Sequence, residues 1–191
     1  MEKRKGKGMS LMMTLLLMGA VPLIVVAVIM IVIATSSIRN EVEKETYDKL
    51  KVAGEAVNQY FAYDIKNNGQ VDYSEYADHE YMESVQTESV ELTLFKGDTR
   101  FITSLKNADG SYNEGTKASD EVFAAVSKGE EFTSNDVVIN GVEYYVYYEP
   151  IYDGNNAFWG MAFAGTPQVA VKKAMNAAIF KLIFSPNAQL L

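Results

Sequence analysis

Cysteine is absent from this 191-residue sequence, and histidine occurs once, at His79. These absences exclude a disulfide scaffold, a thiolate zinc site, a cysteine nucleophile and a site with several histidine ligands. The sequence also lacks a nucleophile elbow, an HExxH motif and a phosphate-binding loop. We therefore expect no catalytic activity, no cofactor and no metal. An anchored hydrolase with an acid-base pair of carboxylates stays open, because such a pair has no recognisable pattern.

Basic residues are scarce over most of the chain. Between Arg39 and Val169 there are 24 acidic and 10 basic residues, and the net charge of the whole chain is -8. Such a surface repels the phosphate backbone, so we expect no nucleic-acid partner. The exception is the N-terminus, where Lys3, Arg4, Lys5 and Lys7 stand against a single Glu.

One long apolar run follows this basic segment. Leu11 to Ala34 contains 24 residues without a charge, which as a helix would extend about 36 Å and exceed the ~30 Å hydrocarbon core of a bilayer. The positive-inside rule predicts a cytoplasmic tail at 1–10, a transmembrane helix at 11–34 and an extracytoplasmic domain beyond it. We therefore expect a single-pass protein of the cell membrane. A cleaved signal peptide is the alternative, although its apolar region is usually about 7–15 residues.

A second apolar segment lies near the C-terminus, from Ala174 to Phe184. It is too short to cross a bilayer, and Ser185-Pro186-Asn187 interrupts it. We interpret 167–191 as the start of an incomplete second transmembrane helix. An amphipathic helix that packs on the domain or lies on the bilayer is an equal alternative.

Helical periodicity continues beyond the first apolar run. Apolar or small residues recur at spacings of three and four at Tyr47, Leu50, Gly54, Val57 and Phe61, which predicts one buried face of a long helix. This helix can pack against a sheet, form the seam of a homodimer, or do both. A second, shorter helix is predicted over 73–87.

The pattern then changes to that of strands. Alternation and turn residues predict five strands, with a short helix capped by Ser119 between the second and the third; the strands are 88–96, 99–105, 132–139, 142–151 and 157–165. Gly97-Asp98 and Asn140-Gly141 predict hairpin turns. The fold class is therefore α+β, with a long helix packed on a five-stranded antiparallel sheet.

Four segments stand out in this order: the hairpin Leu94–Thr103, the segment Gly115–Ser119, the strand residues Tyr144–Ile151, and Gly160–Gly165. Together they resemble the corresponding segments of single Cache domains, which are PAS-like sensor modules. The resemblance covers roughly 38–165 and predicts a sensor domain at 36–166. It implies an extracytoplasmic input domain for small molecules, most similar to that of a methyl-accepting chemotaxis protein, here without the cytoplasmic output domain. The input domain of a histidine kinase or of a cyclic-dinucleotide enzyme is the alternative.

The resemblance also implies where a ligand binds, namely on one face of the sheet beneath the loops and the short helix. A small organic acid or amino acid needs a cation and hydroxyl or amide groups. Arg100 matches the hairpin arginine of the family, and strand alternation places it on one face with Ile102 and Ser104. Thr116 can add a hydroxyl. Tyr145 and Tyr147, which share a strand face, complete the predicted ligand-binding residues.

Two further expectations concern single features. His79 lies between acidic residues, so we expect it at the surface, with a ligand or pH-sensing role as the alternative. The second is a rival structural role as a pilin-like protein, because a short basic leader ends at Gly8 before a long apolar helix. Pilins carry a Glu five residues after the cleavage point, and Met13 occupies that position here.

Overall fold

The computed structural model describes residues 10–76, 79–87 and 89–184. The chain divides into two compact units, Met1–Glu41 and Val42–Leu191. The basic leader and Gly8 lie outside the described residues, and so do Ser185-Pro186-Asn187.

The first unit contains the start of α1, a helix that runs from Leu11 to Asn68. The aliphatic side chains between Leu11 and Ile33 are exposed in this unit. In the part of the chain that the structure describes, α1 is the one helix that is long and apolar enough to cross a membrane. The transmembrane prediction is therefore compatible with the structure, and its direction stays a prediction.

The second unit begins within α1 and contains the sheet. The α1 residues buried here are Leu50, Gly54, Val57, Phe61 and Ile65, whose spacings of four, three, four and four follow one face of a helix. The predicted helical face is therefore confirmed and continues to Ile65. Tyr47, which was predicted on the same face, is partly buried.

The predicted helix over 73–87 is wrong as a single element. The structure has α2 at Tyr73–Tyr76 and α3 at Glu80–Val85. His79 precedes α3 with a φ of 61° in the left-handed region, which a continuous α-helix does not contain. The connection therefore turns at His79.

Five strands and two further helices complete the unit. In chain order they are β1 (Glu91–Lys96), β2 (Thr99–Thr103), α4 (Asp120–Val126), β3 (Phe132–Ile139), β4 (Val142–Tyr152), β5 (Phe158–Pro167) and α5 (Gln168–Phe184). The sheet is antiparallel with the order β2-β1-β5-β4-β3, so the predicted α+β fold is confirmed. Asn140 and Gly141 have φ values of 50° and 78°, as a tight hairpin turn requires.

Each face of the sheet carries its own hydrophobic cluster. The face that packs against α1, which we call the helix face, carries Leu92, Leu94, Tyr145, Tyr147 and Ala164. The opposite face, which we call the α4 face, is covered by Val122 and Val126 of α4. Its buried strand residues are Phe95, Ile139, Tyr144, Val146, Tyr148, Met161 and Phe163. The alternation of neighbouring residues between the faces follows from the pleat of the strands.

Strand alternation predicts that Arg100 and Ile102 share one face, and this prediction is wrong. Leu94 pairs with Ile102, but Phe95 pairs with Arg100, so Phe101 is an extra residue in β2. Such a bulge reverses the alternation. Ile102 therefore joins the helix face, whereas the guanidinium of Arg100 lies over the Phe95 ring on the α4 face.

The C-terminal apolar segment forms α5, which follows β5 directly. Val171 of α5 is buried in the helix-face cluster, and Met175 packs partly against it. Phe180, Ile183 and Phe184 are exposed. The first turns of α5 thus pack on the domain, and membrane insertion of the remainder stays a prediction, as does the homodimer through α1.

Candidate ligand-binding site

A cavity of about 570 Å³ opens on the α4 face of the sheet. Its walls come from β3, from Tyr148 of β4, from Arg100 of β2, and from the segment between β2 and α4. Polar side chains are frequent around it; they are Arg100, Asn113, Thr116, Lys117, Ser119, Glu121, Ser134, Asp136, Asn140 and Tyr148. A concave site with a few convergent polar groups is typical of small-molecule binding.

Arg100 is the buried cation of this cavity. Its side chain is 5% exposed, its Nη1 donates a hydrogen bond to Thr116 Oγ1, and its guanidinium carbon lies 5.1 Å from the centre of the Phe95 ring. Among the residues that the structure describes, no carboxylate forms an ion pair with it, and Nε has no hydrogen-bond partner. Buried charges in proteins are usually paired, so this guanidinium has unused capacity to bind an anion.

Thr116 reaches Arg100 because the loop before α4 is paired to β2. The amide of Arg100 donates to the carbonyl of Thr116 at 2.8 Å, and the amide of Gly115 donates to the carbonyl of Arg100 at 2.9 Å. Gly115 has a φ of 74°, a conformation that glycine adopts without steric cost. These contacts bring Arg100 and Thr116 together in one wall of the cavity.

Burial shapes the electrostatics of the cavity. Desolvation lowers the pKa of Arg100, with the nearby Tyr148 and Tyr144 acting in the opposite direction; an arginine nevertheless stays charged in proteins. Burial also raises the pKa of Tyr148 to about 12, so its hydroxyl is a neutral hydrogen-bond donor at physiological pH. Glu121 and Asp136 line the cavity as well, so both signs of charge are available to a ligand.

Tyr145 and Tyr147 lie on the helix face, away from the Arg100 cavity. The Tyr145 hydroxyl donates to Glu43 Oε1 at 2.9 Å, and the Tyr147 hydroxyl donates to Glu149 Oε2 at 3.2 Å. The Tyr147 ring also packs so closely on Gly54 that a Cβ there would lie 2.8 Å from it. The structure therefore separates these two predicted residues from Arg100 and Thr116, because adjacent strand positions point to opposite faces.

Sequence reasoning did not select Tyr148, which lines the cavity together with Arg100. Alternation along β4 correctly places it opposite Tyr147, but only the bulge at Phe101 shows that Arg100 faces the same side as Tyr148. Ser119 caps α4 as predicted, because its Oγ accepts a hydrogen bond from the Val122 amide at 3.3 Å. It also lines the cavity.

The predicted surface position of His79 is wrong. Its side chain is 3% exposed, its Nε2 lies 2.5 Å from Glu114 Oε1, and its ring stacks on Tyr112 at a centroid distance of 3.6 Å. Both partners come from the loop before α4, far along the chain. The acidic residues on either side of His79 in sequence therefore gave no indication that its side chain is buried. Across the described ranges, no group of three or more His, Asp or Glu residues is arranged to hold a metal ion.

Solved structures with this fold come from bacterial sensor proteins. The ligand-binding domain of the Pseudomonas aeruginosa amino acid chemoreceptor PctC, in complex with GABA, has a TM-score of 0.50 at 13% identity, over 78% of this chain and 64% of that chain. The sensor domain of the V. cholerae histidine kinase DctB has a TM-score of 0.46 at 16% identity, over 73% and 60%. The E. coli DcuS sensor domain has a TM-score of 0.43 at 15% identity, over 73% and 98%.

The chain thus spans less than two thirds of the DctB and PctC domains. At these identities, the likeness to PctC establishes the fold alone. No curated protein sequence matches the chain significantly.

A family model supplies the assignment. The model described as single cache domain 3 matches residues 72–178, which is more than half of the chain and includes every strand, α4 and the Arg100 cavity. The chain therefore belongs to the single Cache domain family.

Proposed function

We propose that this chain is the extracytoplasmic input domain of a bacterial chemoreceptor, and that it binds a small organic acid or amino acid. The observation that carries the binding proposal is the buried guanidinium of Arg100, which faces a cavity of about 570 Å³ and has no acidic partner among the described residues. A ligand carboxylate would supply the missing counter-charge.

The cavity offers further contacts for such a ligand. A carboxylate on the guanidinium would share the cavity with Tyr148, whose hydroxyl supplies a hydrogen-bond donor. The Thr116 hydroxyl holds the guanidinium in place, because it accepts from Arg100 Nη1 and donates to the Asn113 carbonyl. An amino acid would also present an ammonium group, for which Asp136 and Glu121 provide carboxylates in the same cavity. The complex of the PctC domain with GABA is compatible with this ligand class.

The membrane arrangement belongs to the same proposal. The apolar segment 11–34 within α1 crosses the membrane, residues 1–10 are cytoplasmic, and the sensor domain at 36–166 is outside. Support comes from the length and exposure of this part of α1 and from the positive-inside rule. Labelling an introduced cysteine at Asn156, in the exposed β4–β5 turn, with a membrane-impermeant maleimide on intact cells tests the orientation. Modification only after lysis would contradict it.

The binding test uses the full chain in detergent micelles. Thermal shift is measured with GABA, L-norvaline, succinate and acetate, and then with a wider set of organic acids and amino acids. We expect at least one carboxylate to raise the melting temperature, because a ligand that binds only the folded state stabilises it. The Arg100→Gln variant should abolish that shift.

The matched control is Lys117→Gln, which removes a cation from the rim that is already paired with Asp98 at 2.6 Å. This variant should keep most of the shift. Absence of any shift from a folded protein would contradict direct sensing, and an unchanged shift in Arg100→Gln would contradict the site. The chemoreceptor output is tested separately by the reading frame beyond Leu191, where a kinase domain would overturn it.

A further inference from the structure

The loop that lines the Arg100 cavity has two sides. Asn113 and Thr116 face the cavity, and Thr116 Oγ1 donates to the Asn113 carbonyl at 3.3 Å. Glu114, between them, points the other way and meets His79. The loop therefore carries cavity residues on one side and contacts the α2–α3 segment on the other. We use this name for the stretch from α2 to α3, of which Tyr73–Tyr76 and 79–85 are described.

The Glu114 carboxylate is held by two hydrogen bonds from that segment. Tyr73 of α2 donates its hydroxyl to Oε2 at 2.8 Å, and His79 Nε2 lies 2.5 Å from Oε1. Because an ionised carboxylate only accepts, Nε2 carries the proton and donates. Both bonds are charge-assisted and therefore stronger than neutral ones.

His79 is held in its position at a cost. It is a non-glycine residue in the left-handed region, with φ 61° and ψ 15°, and in the described part of the chain its buried Nδ1 has no hydrogen-bond partner. Such conformations persist only where the surroundings impose them. Here the surroundings are the Glu114 carboxylate and the Tyr112 ring.

The α2–α3 segment is in turn fixed to α1. The Tyr76 hydroxyl donates to Asp64 Oδ2 at 2.7 Å, and the Tyr81 hydroxyl donates to the carbonyl of Ala56 at 3.0 Å. A continuous set of packed and hydrogen-bonded groups thus runs from α1 through His79 to the cavity loop.

We propose that His79 is a positioning residue, which through Glu114 sets the place of the Asn113–Thr116 loop in the ligand cavity. The inference rests on the proposed function, because it takes that cavity to be the binding site. It gives the single histidine of the chain a role in the shape of the site without contact to the ligand. It also makes the packing of α2–α3 on α1 a determinant of that shape.

The test measures amide hydrogen exchange of the full chain in detergent micelles, with no ligand added. The reporters are the amides of Arg100 and Gly115, whose hydrogen bonds join β2 to the loop. The variants are His79→Leu and His79→Gln. Leu and Gln are equally strained by the positive φ at position 79, but only Gln keeps an N–H donor of similar reach to that of His.

We expect His79→Leu to speed exchange of both reporters at least about tenfold, since a lost charge-assisted hydrogen bond changes local opening by that factor or more. His79→Gln should stay within about threefold of wild type. Exchange at Val146 and Phe163, in the central strands, should not change in either variant.

Equal exchange at Arg100 and Gly115 in wild type and His79→Leu would overturn the proposal, and so would equal loss of protection in Leu and Gln. If His79→Leu also loses protection in β4 and β5, exchange is measured in Glu114→Met instead. Glu114 is partly exposed, so its replacement opens no core cavity. Faster exchange at Arg100 and Gly115 in this variant supports the proposal, and unchanged exchange there overturns it. Failure to find a ligand would leave these outcomes unchanged, so the two proposals fail separately.

Discussion

Replacing Arg100 by Met should stabilise the ligand-free protein while removing its ability to bind a carboxylate. Met has a similar length and no charge, and it can occupy the space above the Phe95 ring. Arg100 is 5% exposed, and its guanidinium has no acidic partner in the described ranges. If Arg100 binds the ligand as proposed, the native residue is retained at the expense of stability, as is common at functional sites.

The magnitude follows from three contributions. Burial of an uncompensated charge costs several kcal/mol, here about 4. The hydrogen bond to Thr116 returns about 2 kcal/mol, and the contact with the Phe95 ring returns about 1 kcal/mol. Removing all three contributions raises the free energy of unfolding by about 1 kcal/mol. In a unit of this size, that change raises the melting temperature by about 2–4 °C.

The assay is urea denaturation of the full chain in a mild detergent, followed by fluorescence of Trp159, the single tryptophan. This residue lies in β5 and donates from Nε1 to the carbonyl of Gly69 at 3.0 Å, so its emission reports the packing of the sheet on the end of α1. Lys117→Met is the matched control. Its ion pair with Asp98 is exposed, so the free energy of unfolding should change by less than about 0.5 kcal/mol.

The reasoning is refuted if Arg100→Met lowers the free energy of unfolding by more than about 1 kcal/mol. That result would mean that the guanidinium is a net structural contact rather than an unsatisfied charge. Retained binding of a carboxylate by Arg100→Met would refute the proposal that Arg100 binds the ligand.

Three other predictions concern the packing of the domain. Phe61→Ala should lower the free energy of unfolding by about 3–5 kcal/mol, whereas Tyr63→Ala, at an exposed position of the same helix, should change it by less than about 0.5 kcal/mol; urea denaturation measures both. Gly160→Ala should cost about 3 kcal/mol or more, because its Cβ would lie 2.0 Å from the carbonyl oxygen of Phe95, and a normal urea midpoint would contradict this. Burial raises the pKa of Glu149, as do its acidic neighbours, so its stabilising contribution is present at acid pH and lost as the pH rises. Glu149→Gln should therefore gain stability over wild type as the pH increases from about 4 to about 7, and a pH-independent difference would contradict it.

Local chemistry made the strands and turns of this domain predictable. The Asn140-Gly141 turn and the cap of α4 by Ser119 appear where the sequence places them, because each depends on residues within a few positions. The buried face of α1 is predictable for the same reason, since its spacing follows the helical period alone.

Long-range contacts decide what could not be predicted. The single extra residue Phe101 reverses the side to which Arg100 points, and no composition signal marks it. The choice between Tyr147 and Tyr148 depends on that side, so only two of the four predicted site residues, Arg100 and Thr116, line the same cavity. His79 is buried against Glu114, which lies 35 positions further along the chain. The acidic residues next to His79 in sequence favour an exposed position instead, so this burial was not predictable from them.

The strand order has a consequence for how the domain is made. β5 is the last of the described strands along the chain, yet it lies in the centre of the sheet and pairs with both β1 and β4. Until Phe158–Pro167 emerges, β1–β2 and β3–β4 are two hairpins without the strand that joins them, and the edges of β1 and β4 that pair with β5 are open. The long sequence separation between β1 and β5 favours slow closure. A nascent chain arrested before Phe158 would therefore be the form most exposed to aggregation and to quality-control proteases.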